Sequence, residues 1–233
     1  MRRLTILQTD SVVPDLQPEF GDYPDMFTRL LRAGALDIDV IDARQTLPTA
    51  GHSPAYLITG SKHSVYDPLP WIEALAEFLK VELRGGARVV GICFGHQLIA
   101  HFFGGHVGKY EGGWAVGGHD ASVLQAQPWM EPRAAQFRIL SSHQDQVLRA
   151  PDDAAVFARS EFCPISGFTL GDQVLTFQGH PEFEKGYSRQ LMMRRRELLG
   201  DATVDDGIAS LSAPLDDELV ASWILRFLEG ADG

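Results

Sequence analysis

One cysteine lies in a sequence pattern typical of a catalytic nucleophile. Cys93 stands at the centre of the sequence GICFG, residues 91–95, between an apolar strand-like segment and an apolar-periodic helix. A G-x-nucleophile-x-G pattern at such a junction predicts a sharp turn that exposes the nucleophile, and the flanking glycines avoid a Cβ clash. The N-terminus of the helix favours the reactive thiolate. We therefore predict nucleophilic catalysis by Cys93, with the backbone N–H of Phe94 directed at the oxygen of a tetrahedral intermediate.

A histidine that could exchange protons with this thiol lies downstream. The segment QVLTFQGHPEFE, residues 173–184, reads as a strand that runs into His180-Pro181-Glu182. Residues two apart on an extended backbone project to the same side, so His180 and Glu182 are expected to stand side by side. One imidazole nitrogen would then bind the carboxylate while the other faces the thiol. The alternative is a helix-start cluster in which Glu182 favours the positive end of the following helix.

The other cysteine and several histidines have simpler interpretations. Cys163 is interpreted as a buried apolar side chain, which is the common role of a free cysteine and the alternative for Cys93 as well. Four histidines fit no common zinc spacing, and no carboxylate cluster accompanies them, so neither a metal nor a cofactor is expected. These are His96, His101, His106 and His119.

The elements that must position these residues alternate between strand and helix in the first half of the chain. Strands are predicted at 4–9, 36–41, 55–59 and 87–92, with helices at 23–32 and 70–83. This alternation predicts a parallel sheet with helices on both faces. Short strand-like segments then predict an antiparallel or mixed extension, at 114–124, 136–140, 154–159, 165–170 and 173–177. Helices are predicted again at 184–199 and 216–228, and the segment 199–214 reads as a polar loop with at most one short helix.

Composition limits the class of protein. The 233 residues, 45% hydrophobic and 22% charged, suit a single globular domain over 1–233, with a catalytic core at about 4–200 and a C-terminal helical segment at about 201–233. The net charge of −11 disfavours nucleic acid and anionic membranes as partners. The run Arg194-Arg195-Arg196 is interpreted as a solvated helix face, with docking or anion binding as the alternative. Two cysteines and no long apolar stretch predict a cytoplasmic protein.

In this order, the turn Thr59-Gly60-Ser61, the motif GICFGHQ and the motif HPE resemble class I glutamine amidotransferases. The resemblance extends from LQTD at 7–10 to the helix after Glu182. It is strongest to stand-alone proteins similar to the glutaminase domain of GMP synthase, and to plant γ-glutamyl peptidases. It implies a flavodoxin-like α/β fold, with a mostly parallel central sheet, flanking helices and an antiparallel extension. The site would lie at the carboxyl ends of the strands.

The resemblance also implies roles for residues around the triad. Gly60 and Ser61 match the loop that supplies the second oxyanion donor, the N–H of Ser61, although a plain strand-ending turn is the alternative. Four further residues would bind the substrate. The alternative for Gln97 is a polar residue at a helix start, and the alternative for the other three is a surface turn. The four residues are Gln97, Ser142, Gln144 and Asp145.

The activity that follows is hydrolysis of a γ-glutamyl amide, most simply glutamine to glutamate and ammonia, through a thioester at Cys93. An ammonia-accepting synthase would be the partner. Gly179 stands where many family members carry phenylalanine, and no synthase is attached, so γ-glutamyl peptide hydrolysis without a partner stays open. A third hypothesis is a partner-gated or non-catalytic sensor subunit. An α/β-hydrolase acting on esters is disfavoured, because Glu182 follows His180 instead of preceding it by many residues.

Overall fold

A nine-stranded sheet forms the centre of the computed structural model, which describes residues 2–230. The strands are β1 Arg2–Gln8, β2 Leu36–Asp42, β3 Ala55–Ile58, β4 Arg88–Ile92, β5 His106–Lys109, β6 Ala115–Val123, β7 Gln136–His143, β8 Asp145–Arg149, β9 Ala154–Arg159, β10 Gly167–Leu170 and β11 Val174–Phe177. The sheet order is β2-β1-β3-β4-β11-β10-β9-β6-β7. Neighbours from β2 to β11 are parallel, and the remaining pairs are antiparallel. β5 and β8 form a separate antiparallel ribbon.

Helices cover both faces of this sheet. They are α1 Gln17–Phe20, α2 Tyr23–Leu30, α3 Pro70–Arg84, α4 Phe94–Phe102, α5 Lys185–Arg194, α6 Arg196–Leu199, α7 Asp201–Ser210 and α8 Asp217–Glu229. Side chains alternate across β1, so Leu4 and Ile6 pack with Phe27 of α2 and Trp223 of α8, while Leu7 packs on the other face with α3 and α4. None of the helices described is long and apolar enough to cross a membrane.

The predicted α/β class is confirmed: a central sheet with a parallel part, an antiparallel extension and flanking helices. The register of the parallel part positions the site. Phe177 of β11 lies opposite Ile92 of β4, so the residues that follow both strands emerge at the same edge of the sheet. Cys93 follows β4, and the His180 segment follows β11.

The C-terminal third differs from the prediction in two places. The single helix predicted at 184–199 is broken at Arg195 into α5 and α6. The segment 199–214, predicted as polar and loop-like with room for one short helix, holds the ten-residue helix α7 over most of its length. The apolar pattern of α7 is sparse, but its Val204 is fully buried against Val116, Met192 and Leu199. Tertiary packing therefore stabilises a helix that periodicity alone does not indicate.

Candidate active site

Cys93 occupies a sharp turn between β4 and α4. Its φ of 51° and ψ of −97° make it the one non-glycine residue with positive φ in the described part of the chain. The flanking glycines permit this turn: a Cβ at Gly91 would lie 2.7 Å from the backbone of Gly95, and a Cβ at Gly95 would lie 2.8 Å from Ile58. The N–H of Cys93 donates to the carbonyl of Phe177 at 2.8 Å, which ties the turn to the end of β11.

His180 is held from three directions. Its backbone N–H donates to the carbonyl of Leu140 at 2.7 Å. Its Nδ1 lies 2.7 Å from Oε1 of Glu182, and both side chains are nearly inaccessible to solvent. The imidazole stacks on the ring of Phe183 with centroids 3.9 Å apart and planes 10° from parallel. The preceding Gly179 leaves no room for a side chain, because a Cβ there would lie 2.7 Å from Ile139.

Electrostatics keep this imidazole charged. Burial by itself disfavours the protonated form, but the charges of Glu182 and Cys93, with the hydrogen bonds that the imidazole makes to both side chains, raise the pKa of His180 to about 10. The imidazole is therefore protonated at neutral pH. Oε2 of Glu182 is buried and has no hydrogen-bond partner among the described residues, so the carboxylate interacts chiefly with this histidine.

The turn after β3 lies against the imidazole. A Cβ at Gly60 would lie 2.7 Å from Cε1 of His180 and 3.7 Å from Cβ of Cys93. The carbonyl of Gly60 accepts from the hydroxyl of Thr9 at 3.0 Å. Because a trans peptide places N–H and C=O on opposite sides, the N–H of Ser61 points away from Thr9. Within residues 2–230, the N–H groups of Ser61 and Phe94 donate to no protein acceptor, so both are available to an oxyanion.

A cavity of about 430 Å³ contains most of the predicted site residues. Its lining includes Gly60, Ser61, Cys93, Gln97, Ser142, Gln144, Asp145 and His180. Glu182 and Phe94 do not line it. Glu182 lies on the Nδ1 side of the imidazole, and the Phe94 side chain is buried against Trp71. The cavity size falls within the range of small-molecule sites, about 300–1,000 Å³.

Gln97 is fixed by the protein. Its Nε2 donates to the carbonyl of Asp145 at 2.7 Å and to Oε1 of Gln178 at 3.1 Å, which uses both hydrogens of the amide. Only its Oε1 is left to receive a substrate donor. The carboxylate of Asp145 accepts a short hydrogen bond from the hydroxyl of Ser64. The turn between β7 and β8 is thereby connected to both α4 and the loop after β3.

Several cavity residues were missed from the sequence. They are Tyr23, Lys62, His63, Ser64, Lys109, Trp114, Phe183, Leu191, Arg195 and Leu198. The run Arg194-Arg195-Arg196 gave an indication of Arg195, because anion binding is the alternative interpretation of that run. The run divides: Arg194 pairs with Asp15, Arg196 pairs with two aspartates of α7, and Arg195 lies at the cavity.

Burial keeps Cys163, His96 and His143 uncharged at neutral pH. Burial raises the pKa of the Cys163 thiol to about 12, so it stays protonated. Burial lowers the pKa of His96 to about 3, and His96 Nδ1 contacts the hydroxyl of Thr176 at 2.8 Å. Burial and neighbouring histidines lower the pKa of His143 to about 3. Across residues 2–230, no three or more potential metal-ligating side chains come together.

Comparison with known proteins gives consistent matches. The family model of glutamine amidotransferase class I matches residues 38–198. Gamma-glutamyl peptidase 3 of Arabidopsis thaliana is 32% identical over 184 residues, which are 75% of this chain and 74% of that one. GMP synthase (glutamine-hydrolyzing) of Aeropyrum pernix is 29% identical over 187 residues, 77% of this chain and 35% of that one. The crystal structure of a glutamine amidotransferase from Thermotoga maritima superposes with a TM-score of 0.77 at 18% identity, covering 98% of this chain and 99% of that one.

Proposed function

This chain belongs to the class I glutamine amidotransferase family, and we propose that it hydrolyses a γ-glutamyl amide with Cys93, His180 and Glu182 as its catalytic triad. One observation carries the proposal. Cys93, held at a positive φ, shares a cavity with His180, whose other side is bound to Glu182 at 2.7 Å. Nucleophile, proton carrier and orienting carboxylate are the three parts that thiol catalysis needs.

The acylation step begins from the thiolate and imidazolium. The Cys93 sulfur attacks the γ-carbonyl carbon, a C–S bond forms, and the π electron pair moves onto the carbonyl oxygen. The N–H groups of Ser61 and Phe94 bind that oxyanion, and one such donor contributes about 3 kcal/mol in a comparable hydrolase. Gly60 supports this arrangement by letting the turn approach the imidazole closely.

His180 then acts as the general acid. The intermediate collapses, the C–N bond breaks, and the imidazolium gives its proton to the departing nitrogen, which leaves as ammonia or an amine. A raised pKa suits this role, because the proton stays on the imidazole until the amide nitrogen becomes basic in the tetrahedral intermediate. Glu182 keeps the imidazole oriented throughout.

Hydrolysis of the thioester regenerates the enzyme. The neutral His180 takes a proton from water as the water oxygen attacks the thioester carbon. The C–S bond breaks, glutamate leaves, and the thiolate and imidazolium are restored. The free Oε1 of Gln97 would hold the glutamyl part of the substrate during both steps, together with Ser142 of β7, Gln144 in the turn and Asp145 of β8.

The leaving group distinguishes two versions of this function. Glutamine hydrolysis would feed ammonia to a synthase, and the similarity to a protein named GMP synthase (glutamine-hydrolyzing) supports it. Hydrolysis of γ-glutamyl peptides needs no acceptor, and the similarity to a protein named gamma-glutamyl peptidase 3 supports that version. A cytoplasmic location suits both versions and is part of the proposal.

Release of glutamate by the purified protein tests the proposal. Glutamine and a set of γ-glutamyl dipeptides are the substrates, with Cys93→Ser as the variant and Cys163→Ser as the matched control at the other free cysteine. Cys93→Ser is expected to lose activity by about 10³-fold or more, while Cys163→Ser retains it. Turnover that survives in Cys93→Ser, or is lost equally in both variants, would contradict the assignment of the nucleophile.

A further inference from the structure

Arg195 differs from its two neighbours in having no acidic partner. Arg194 pairs with Asp15, and Arg196 Nη1 and Nη2 lie 2.8 Å from carboxylates of α7. Within the described residues, Arg195 forms no salt bridge and its side chain makes no hydrogen bond. It is half-buried in the cavity wall, in a chain with 31 acidic and 20 basic residues. Because no carboxylate of the described residues pairs with Arg195, its guanidinium is free to bind a ligand.

Arg195 follows α5 directly as its C-cap, and its backbone N–H donates to the carbonyl of Leu191 at 3.2 Å, which continues the helical spacing by one residue. Tyr187, Leu191 and Arg195 follow each other at four-residue intervals and so share one face of the helix. Burial raises the pKa of Tyr23 and of Tyr187, and the charge of Arg195 offsets part of both rises, as expected for a guanidinium close to the two phenols. Those phenols contact each other at 3.2 Å beside the ring of Phe183.

This face of α5 lies on the histidine side of the cavity. Phe183 stacks on the His180 imidazole, Tyr187 of α5 packs edge-on against Phe183 with ring centroids 4.7 Å apart, and Leu191, Arg195 and Leu198 line the same cavity. Gln97 and the adjoining ends of β7 and β8, where the glutamyl part would bind, line the same cavity. Because His180 protonates the departing nitrogen, the leaving amine must occupy the histidine side. A charged group on that amine would therefore face Arg195.

We propose that Arg195 is a specificity-determining residue that binds a carboxylate on the leaving amine, so that γ-glutamyl amino acids and peptides are preferred to amides with neutral leaving groups. The inference rests on the proposed function and names its substrate class. Guanidinium and carboxylate match in geometry, and their charge-assisted hydrogen bonds are about twice as strong as neutral ones. The other cations of the cavity are placed differently: Lys62 is paired with Asp10 at 3.1 Å, and Lys109 lies beside Asp145 in the β5–β8 ribbon.

Two substrates that differ only in charge test the proposal. γ-Glutamylglycine carries a free carboxylate on its leaving amine, and γ-glutamylglycinamide carries a neutral amide. The ratio of their kcat/KM values is measured for the unmodified protein and for Arg195→Met, Arg195→Lys, Arg194→Met and Lys109→Met. The unmodified protein is expected to prefer the carboxylate about tenfold, and Arg195→Met to lower that ratio to about one to two.

The variants separate selectivity from structure. Arg195→Lys is expected to keep an intermediate ratio, whereas Arg194→Met and Lys109→Met keep that of the unmodified protein. A ratio that survives in Arg195→Met, or falls instead in Lys109→Met, overturns the inference, as does an equal loss of both activities in Arg195→Met. Hydrolysis of glutamine with no cleavage of either dipeptide overturns it too but leaves the proposed function standing. A protein that hydrolyses none of the three substrates contradicts the proposed function itself.

Discussion

Replacement of Gly60 by alanine is expected to slow catalysis while leaving the fold intact. A Cβ at this position would lie 2.7 Å from Cε1 of His180, whereas ordinary van der Waals contact begins at 3.4 Å, so the two must separate by about 0.7 Å. The φ of Gly60 lies outside the left-handed region, so alanine adds no backbone strain there. The perturbation is therefore confined to the contact between the turn and the imidazole.

Neither partner in this contact can yield freely. Glu182, the Leu140 carbonyl and the Phe183 ring hold the imidazole. The hydroxyl of Thr9 holds the carbonyl of Gly60. Movement of the imidazole would misalign the proton transfer, and movement of the turn would misplace an oxyanion donor. Because a misplacement of about 1 Å can cost about 10²-fold in rate, we expect kcat to fall by about 10²-fold, equivalent to about 2.7 kcal/mol in the activation free energy.

Steady-state hydrolysis of glutamine or γ-glutamylglycine, with a thermal melt of the same samples, measures this effect. Gly108→Ala is the matched control, since its Cβ would meet a side-chain methyl of Leu148 at 3.2 Å and Nε2 of His106 at 4.0 Å, and Gly108 lies in β5, outside the triad. Gly60→Ala is expected to keep its unfolding midpoint within a few degrees. A Gly60→Ala protein with kcat within about twofold of the unmodified protein would refute the argument that this contact fixes the catalytic geometry.

Three further predictions use other contacts of the site. Activity is expected to fall as the pH rises through about 10, where His180 loses its proton. Because the Glu182 carboxylate raises the pKa of His180, Glu182→Gln should move this loss of activity to lower pH in a profile of kcat/KM against pH. An alkaline limb at the same pH in both proteins would contradict this. Thr9→Val removes one of the two hydroxyls that donate to the Gly60 carbonyl, the other being that of Thr59 at 3.2 Å, so kcat should fall about tenfold with little change in KM. Equal kcat values would argue against an oxyanion role for the turn. Gly95→Ala places a Cβ 2.8 Å from the end of β3 and should lower the free energy of unfolding by about 1–3 kcal/mol in a urea titration. Undiminished stability would show that the turn at Cys93 can accommodate a side chain at Gly95.

The sequence was most informative where the geometry of the site is local. The turn at Cys93 depends on glycines two residues away on either side, and the His180–Glu182 contact joins residues two apart. Such arrangements leave a readable pattern because strand and helix geometry alone fixes which side chains share a side.

Features that depend on distant contacts could not be read in this way. The hydroxyl of Thr9 and the carbonyl of Gly60 are 51 residues apart, and no spacing rule connects them. The break at Arg195 separates an arginine that lines the cavity from two that pair on the surface, although the three are adjacent in sequence. Helix α7 depends on the burial of Val204, which only the folded chain supplies.

Detection of a glutamyl thioester on Cys93 tests the central claim most directly. The protein is mixed with glutamine or γ-glutamylglycine, quenched in acid during turnover, and examined by intact-mass and peptide mass spectrometry. We expect a mass increase of one glutamyl group on the peptide that contains Cys93. This increase should be absent in Cys93→Ser and unchanged in Cys163→Ser. Substrate turnover without any acyl group on Cys93, in a quench fast enough to capture the intermediate, would contradict a covalent mechanism at this cysteine.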